Sequence, residues 1–245
     1  MGVHPPERLP PLIAMLTDIQ RRLWDTYEAA ESRAPRAEKL RALDAFLEAL
    51  GSSPPTEWFP WARSIAEQVV DDGIDLVIRR PLFKRAVFPA LLAGYRARLP
   101  GSARWLAGLS QQLLSCPAGR ERLLPEVATE QTLLLAAIRH DPDDRRSRLR
   151  LIDTLADGLR FSLHEIPSGV LYGMDGASPE QCRELEAELE EFCRLVAQEQ
   201  TQERHAELIR AGRLHFRAYR DYLSNRDKYQ SYAEYLSQNA ARDGG

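Results

Sequence analysis

The sequence predicts an all-α protein, either an irregular multi-helix bundle or a short α-solenoid, and three observations carry that expectation. Apolar residues recur at the 3.6-residue helical period along most of the chain. No run keeps the strict alternation of a half-buried strand for more than a few residues. Short breaks of Pro, Gly, Ser and Asp separate the periodic stretches, as in proteins built only from helices. With 245 residues the chain can bury a substantial core. It reads as one helical domain, with an internal boundary expected near 116–128 between a helical half at 10–115 and another at 129–240.

The first helix is expected over residues 10–33, with Leu12, Leu16, Ile19, Leu23 and Tyr27 on one stripe. Pro35 opens a second, turning Leu40, Leu43, Leu47 and Leu50 inward and stopping at Gly51. After the Ser52-Ser53-Pro54-Pro55 break, a third runs from the aromatic knot Trp58-Phe59-Pro60-Trp61 through Ile65 and Val69 to Asp71-Asp72-Gly73. The fourth, from Pro81 to about Arg98, carries the i+4 row Phe83, Val87, Leu91, Tyr95 and is expected to kink at Pro89. Ser102 starts a fifth, holding Trp105, Leu109 and Leu113.

Residues 116–128, with Pro117, Gly119 and Pro125, read as loop or broken turns. Thr129 caps a short helix to His140. The next is expected to start with Asp141 as N-cap and Pro142 at the first helical position, presenting Leu149, Ile152, Leu155, Leu159 and Leu163. Ser178 and Gln181 form a capping box that opens a long helix bearing Cys182, Leu185, Leu189, Phe192, Cys193 and Val196 on its apolar side. Leu149, Ile152, Leu155, Leu159, Leu185, Leu189 and Phe192 are expected in one core.

The segment from Thr129 to Leu163 resembles part of a tetratricopeptide repeat: Pro142 takes the repeat's proline position, Ala137 its small-residue position and Leu134 a large apolar one. The resemblance covers roughly 35 of the 245 residues, Ile152 stands where the family has Gly, and no second copy follows at a period near 34.

A net charge of −3 excludes the whole-molecule basic field that draws nucleic acid nonspecifically. Only Lys39, Lys84 and Lys228 are lysines among 33 basic residues, a bias that a GC-rich genome produces without chemical cause. Cys116, Cys182 and Cys193 share no metal-ligand spacing and read as buried thiols in a reducing compartment. The Pro-rich stretch Met1 to Pro11 lacks the apolar core of a signal peptide, and no run of 18 apolar residues occurs. The expected location is cytoplasmic, with no membrane partner.

Several chemistries are excluded or disfavoured residue by residue. His164-Glu165 begins like a zinc-protease motif, but Ser168 stands where the second His is needed and Pro167 breaks the turn. Asp71-Asp72-Gly73-Ile74-Asp75 matches in form the Asp-rich signature of magnesium-binding prenyl-diphosphate enzymes, yet Gly73 ends the helix such a site requires. His140 with Asp141, Asp143 and Asp144 has metal-ligating types, which capping explains more simply. No phosphate loop, nucleophile elbow or dinucleotide fingerprint is present. No metal and no cofactor is expected.

Two surfaces remain. The connection His164 to Ala177 spends three Gly, a Pro and two acids; an enzyme site there would use His164 as general acid or base, Glu165 or Asp175 to orient it, and Tyr172 on the substrate. The C-terminal quarter reverses charge, with eight acids against two arginines over 177–203 and seven basic residues against three acids over 204–228. There Arg217, Tyr219, Arg220 and Tyr222 either form an exposed recognition face or pack, the arginines pairing with the acidic run. The leading expectation is a non-catalytic helical interaction protein, an adaptor or an inhibitor or immunity-type binding protein, with Tyr172 and the Arg/Tyr residues touching a protein partner. An enzyme ranks second and a nucleic-acid-binding module third; a homo-oligomer is compatible with the same surfaces.

Overall fold

The computed structural model describes residues 15–116, 129–166 and 178–240, and these form an all-α multi-helix bundle in which the described residues include no strand. Contacts divide the chain into two compact units, Met1–Asp143 and Asp144–Gly245. The division lies beyond the 116–128 stretch, so the helices on either side of Pro142 belong to different units. Pro117, Pro125, Tyr172 and Asp175 lie outside the described residues.

In the first unit, α1 (Asp18–Arg33) starts at a capping box in which Thr17 accepts from the Gln20 amide and the Gln20 side chain from the Thr17 amide. Buried Gln20 also donates to the Ala49 carbonyl at 3.2 Å and to Ser53 Oγ at 3.0 Å, tying this end to α2 (Arg36–Gly51). The inward face of α1 runs through Trp24 and Tyr27; Ile19, expected inside, is 64% exposed, and Leu23 is half-buried. Burying an indole and a phenol removes more surface from water than burying two aliphatics, so the aromatics set the helix rotation. Trp24, packed against Tyr27, then meets Phe46 of α2 and Trp61 of α3 (Pro55–Val70). On α2, Leu43, Leu47 and Leu50 are buried as expected, whereas Leu40 is only partly so.

An extended strap leaves α3 through Gly73, whose φ of +67° favours glycine. Arg79 fastens the strap to α1 by two bonds to Glu31, at 2.8 and 2.5 Å. The fourth predicted helix is a composite of α4 (Arg80–Leu82), a π-helical turn (Phe83–Val87) and α5 (Phe88–Arg96). Pro89 has no N–H and its ring crowds the carbonyl four residues back; the wider turn, closed by the Phe88 amide on the Phe83 carbonyl, accommodates both.

The fifth predicted helix is also divided, into α6 (Ser102–Gly108) and α7 (Ser110–Leu114) at Leu109. Gly108 weakens the helix at that point, while Trp105, Leu109 and Leu113 all stay buried. α8 (Glu130–His140) packs its Ala136 and Ala137 on Ala103 of α6 and Tyr95 of α5.

The second unit opens with α9 (Arg145–Glu165). Its N-cap is Asp144 rather than Asp141, because the Asp144 carboxylate accepts from the Ser147 amide at 3.0 Å and from Ser147 Oγ at 2.6 Å. Asp141 instead accepts from the Asp143 amide, a local turn that leaves Pro142 outside the helix. α10 (Pro179–Gln198) is capped by Ser178, and α11 (Gln202–Ser224) follows after a three-residue corner. At Gly212 an added Cβ would stand 2.9 Å from a Leu189 methyl, so the glycine permits the close α10–α11 approach.

Ile152, Leu155, Leu159, Leu185, Leu189 and Phe192 are buried in this unit; Leu149 and Leu163 are half-buried, and Leu151 takes the inward position beside Ile152. Glu199 at the corner is bonded by Arg145 and by Arg148 of α9. Burial alone would raise its carboxyl; the two guanidiniums outweigh that and hold it below the usual range.

Candidate functional site

The C-terminal quarter is an aromatic seam. α12 (Tyr232–Ala240) lays Tyr232 against Tyr219 at 5.0 Å and Tyr222 at 5.7 Å, measured between ring centroids, with Tyr235 6.1 Å from Tyr222. The His215 ring nitrogen Nδ1 shares a hydrogen bond with the Tyr232 hydroxyl at 3.0 Å. Tyr219, Tyr222 and Tyr232 are buried. Burial first, then the neighbouring Tyr235 and Tyr219, pushes the Tyr232 phenol far above its ordinary range. The Cys182 thiol is pushed up to about 11, by burial and then by Glu186, against the opposing charge of Arg220. A thiol held protonated in this way is a poor nucleophile.

Of the four residues singled out on this helix, the structure therefore brings Tyr219 and Tyr222 together inside the seam. Arg220 pairs with Glu186 of the acidic run at 2.5 Å, and Arg217 stays exposed. Arg220→Glu is expected to lower the melting temperature, costing on the order of 1 kcal/mol by setting like charges together, whereas Arg217→Glu should stay within about 0.5 kcal/mol. Equal effects of the two variants in thermal denaturation would contradict this pairing.

At the other predicted site, His164 is exposed and Glu165 half-buried at the end of α9, while Tyr172 and Asp175 fall outside the described residues. Asp71, first of the Asp-rich run, is held by a two-pronged Arg104 bond at 2.9 and 2.6 Å and by the Trp105 indole N–H at 2.8 Å. Among the described residues no group of three or more His, Cys, Asp or Glu side chains is placed to hold a metal ion, and no helix is long and apolar enough to cross a membrane.

His205 is the one buried histidine among the described residues. It is 2% exposed, lies edge-on to Phe192 at 5.2 Å, and neither ring nitrogen has a hydrogen-bond partner. Burial, then the guanidiniums of Arg204 and Arg160, lowers its basicity against the opposing Asp153 carboxylate. Its folded pKa lies below the unfolded value of about 6.5, so its stabilising contribution is complete above that pH and lost as pH falls through the folded value. Glu199, also depressed, loses its contribution only below about 4.3. Melting between pH 5 and 7.5 should therefore show a slope that His205→Leu reduces, the remainder belonging to His140, whose basicity burial also lowers; an unchanged slope would contradict the assignment.

A site that sequence reasoning missed lies at the α1–α2 corner. Pro35, in the N-cap position of α2, turns the chain sharply. The two helices leave an open groove of about 730 Å³ with Ala29, Ala30, Ala34 and Ala42 along its floor and Arg33, Glu38 and Arg41 at its rim. Neither Arg33 nor Arg41 has an ion-pair partner among the described residues. The signal was the small-residue run across the Pro35 break, which at sequence level also suits a core. No protein-family model, curated protein or solved structure matches this chain.

Proposed function

We propose that this chain is an α-helical binding protein that engages an acidic segment of a protein partner in the α1–α2 groove. The observation that carries the reading is the pairing of an alanine floor with two rim guanidiniums, Arg33 and Arg41, that make no ion pair among the described residues. Small side chains let a partner backbone come close, and unpaired arginines at a rim steer and bind carboxylates. The volume lies in the range of ordinary binding clefts, about 300 to 1,000 Å³. Three free thiols, Cys116 and Cys182 buried and Cys193 only half-buried where burial was expected, support placing this activity in a reducing compartment such as the cytoplasm.

The test uses the intact chain to capture partners from its native host, identifies them by mass spectrometry, and then measures the purified pair by calorimetry. Arg33→Glu with Arg41→Glu should leave stability within about 0.5 kcal/mol per site, since both are exposed. Affinity for the partner should fall at least about tenfold and lose most of its salt dependence. An affinity unchanged by the double reversal would overturn the assignment of the groove.

A further inference from the structure

The C-terminal ends of α5 and α8, away from the groove residues, bring three basic side chains and a tyrosine to one place. α5 closes with the Arg98 amide on the Tyr95 carbonyl at 3.0 Å and the Leu99 amide on the Gly94 carbonyl at 2.8 Å. This turn holds Arg98 at φ +54°, in the left-handed region where glycine is the unstrained choice. α8 ends on Arg139 and His140. The His140 ring lies 5.5 Å from the Tyr95 ring, and Tyr95 packs on Ala103, Ala136 and Ala137 at the base of the cluster.

Arg98 and Arg139 are exposed, and neither makes an ion pair among the described residues. The adjacent acid, Asp141, is turned to the Asp143 amide. Burial, then Arg98, then Arg139, lowers the basicity of His140, and no carboxylate opposes them. Helix C-termini attract cations for their own sake. Here the Tyr95–His140 ring contact brings the ends of α5 and α8 together, each end carries an exposed arginine, and among the described residues neither arginine has an ion-pair partner.

We propose that Tyr95, Arg98, Arg139 and His140 form a binding site for a phosphate-type dianion, separate from the α1–α2 groove. Two guanidinium forks match the oxygens of a phosphate. The imidazole adds a third donor once protonated, and the second ionisation of a phosphate monoester, near pH 6, lies in the histidine range. An anion seated there reverses the local field, so binding raises the His140 pKa.

The experiment follows the His140 imidazole of the intact chain by NMR through a pH titration at constant ionic strength, in chloride, in acetate and with added inorganic phosphate. Phosphate should produce a saturable upward shift of about one pH unit or more, beyond any shift in acetate. Arg98→Gly removes a cation while relieving the left-handed strain, so it should melt no lower than the parent yet bind phosphate about tenfold more weakly; Arg139→Gln should weaken binding similarly. Arg33→Glu with Arg41→Glu should leave phosphate affinity unchanged, which separates this site from the groove. A shift no larger than in acetate, full affinity in Arg98→Gly, or loss of phosphate binding in the groove variant would each overturn the proposal.

Discussion

Replacing Asp71 by alanine is expected to destabilise the first unit by about 3 to 5 kcal/mol, the cost of removing one partner from a buried ion pair. The Asp71 and Arg104 side chains are 3% and 12% exposed, so the guanidinium would lose this counter-charge where water barely reaches. The indole N–H of Trp105 would lose its acceptor in the same step. Its neighbour supplies the control: Asp72 is exposed, and Asp72→Ala should change stability by about 0.5 kcal/mol or less. Urea unfolding of the two variants measures the contrast directly. If Asp71→Ala fell within error of Asp72→Ala, the clamp would contribute no stability, and the Asp-rich run would need another explanation.

Trp61→Ala is expected to cost a similar amount, about 3 to 5 kcal/mol, by a different mechanism, the opening of a cavity in a packed core. Trp61 is fully buried, with Trp24 and Phe46 each 5.1 Å away between ring centroids and both turned edge-on to it. These rings come from three helices, so their loss loosens α1, α2 and α3 together. Trp61→Phe should cost far less, about 1 to 2 kcal/mol, because it keeps most of the aromatic volume. It also breaks no hydrogen bond, since the Trp61 indole nitrogen is buried without a partner. Equal losses for Ala and Phe would point to a role for that nitrogen instead of packing.

Features set by local chemistry were legible from the residues alone. The Thr129 and Ser178 caps, the helices they start, and the inward Leu43, Leu47 and Leu50 depend on neighbours within a turn or two. The same reasoning misplaced Asp144's cap at Asp141, because three aspartates in four residues offer equivalent acceptors and only the fold selects one. It also left Trp24 off the inward stripe of α1 and put Ile19 on it, and it did not foresee the π-helical turn that precedes Pro89.

The candidate sites were harder to read, since their members meet only after folding. Arg220 and Glu186 are 34 residues apart, and nothing local distinguishes that arginine from exposed Arg217. The alanines of the groove carry no pattern that separates a surface floor from a core contact, and Tyr95 meets His140 only because α5 and α8 end together. By itself the sequence determined the helical class, most helix spans and their caps, because hydrogen bonds and side-chain spacing within four residues decide those. The tertiary structure alone decided which face each helix buries, which charges find partners and which are left without them, because burial and Coulomb energy depend on neighbours distant along the chain.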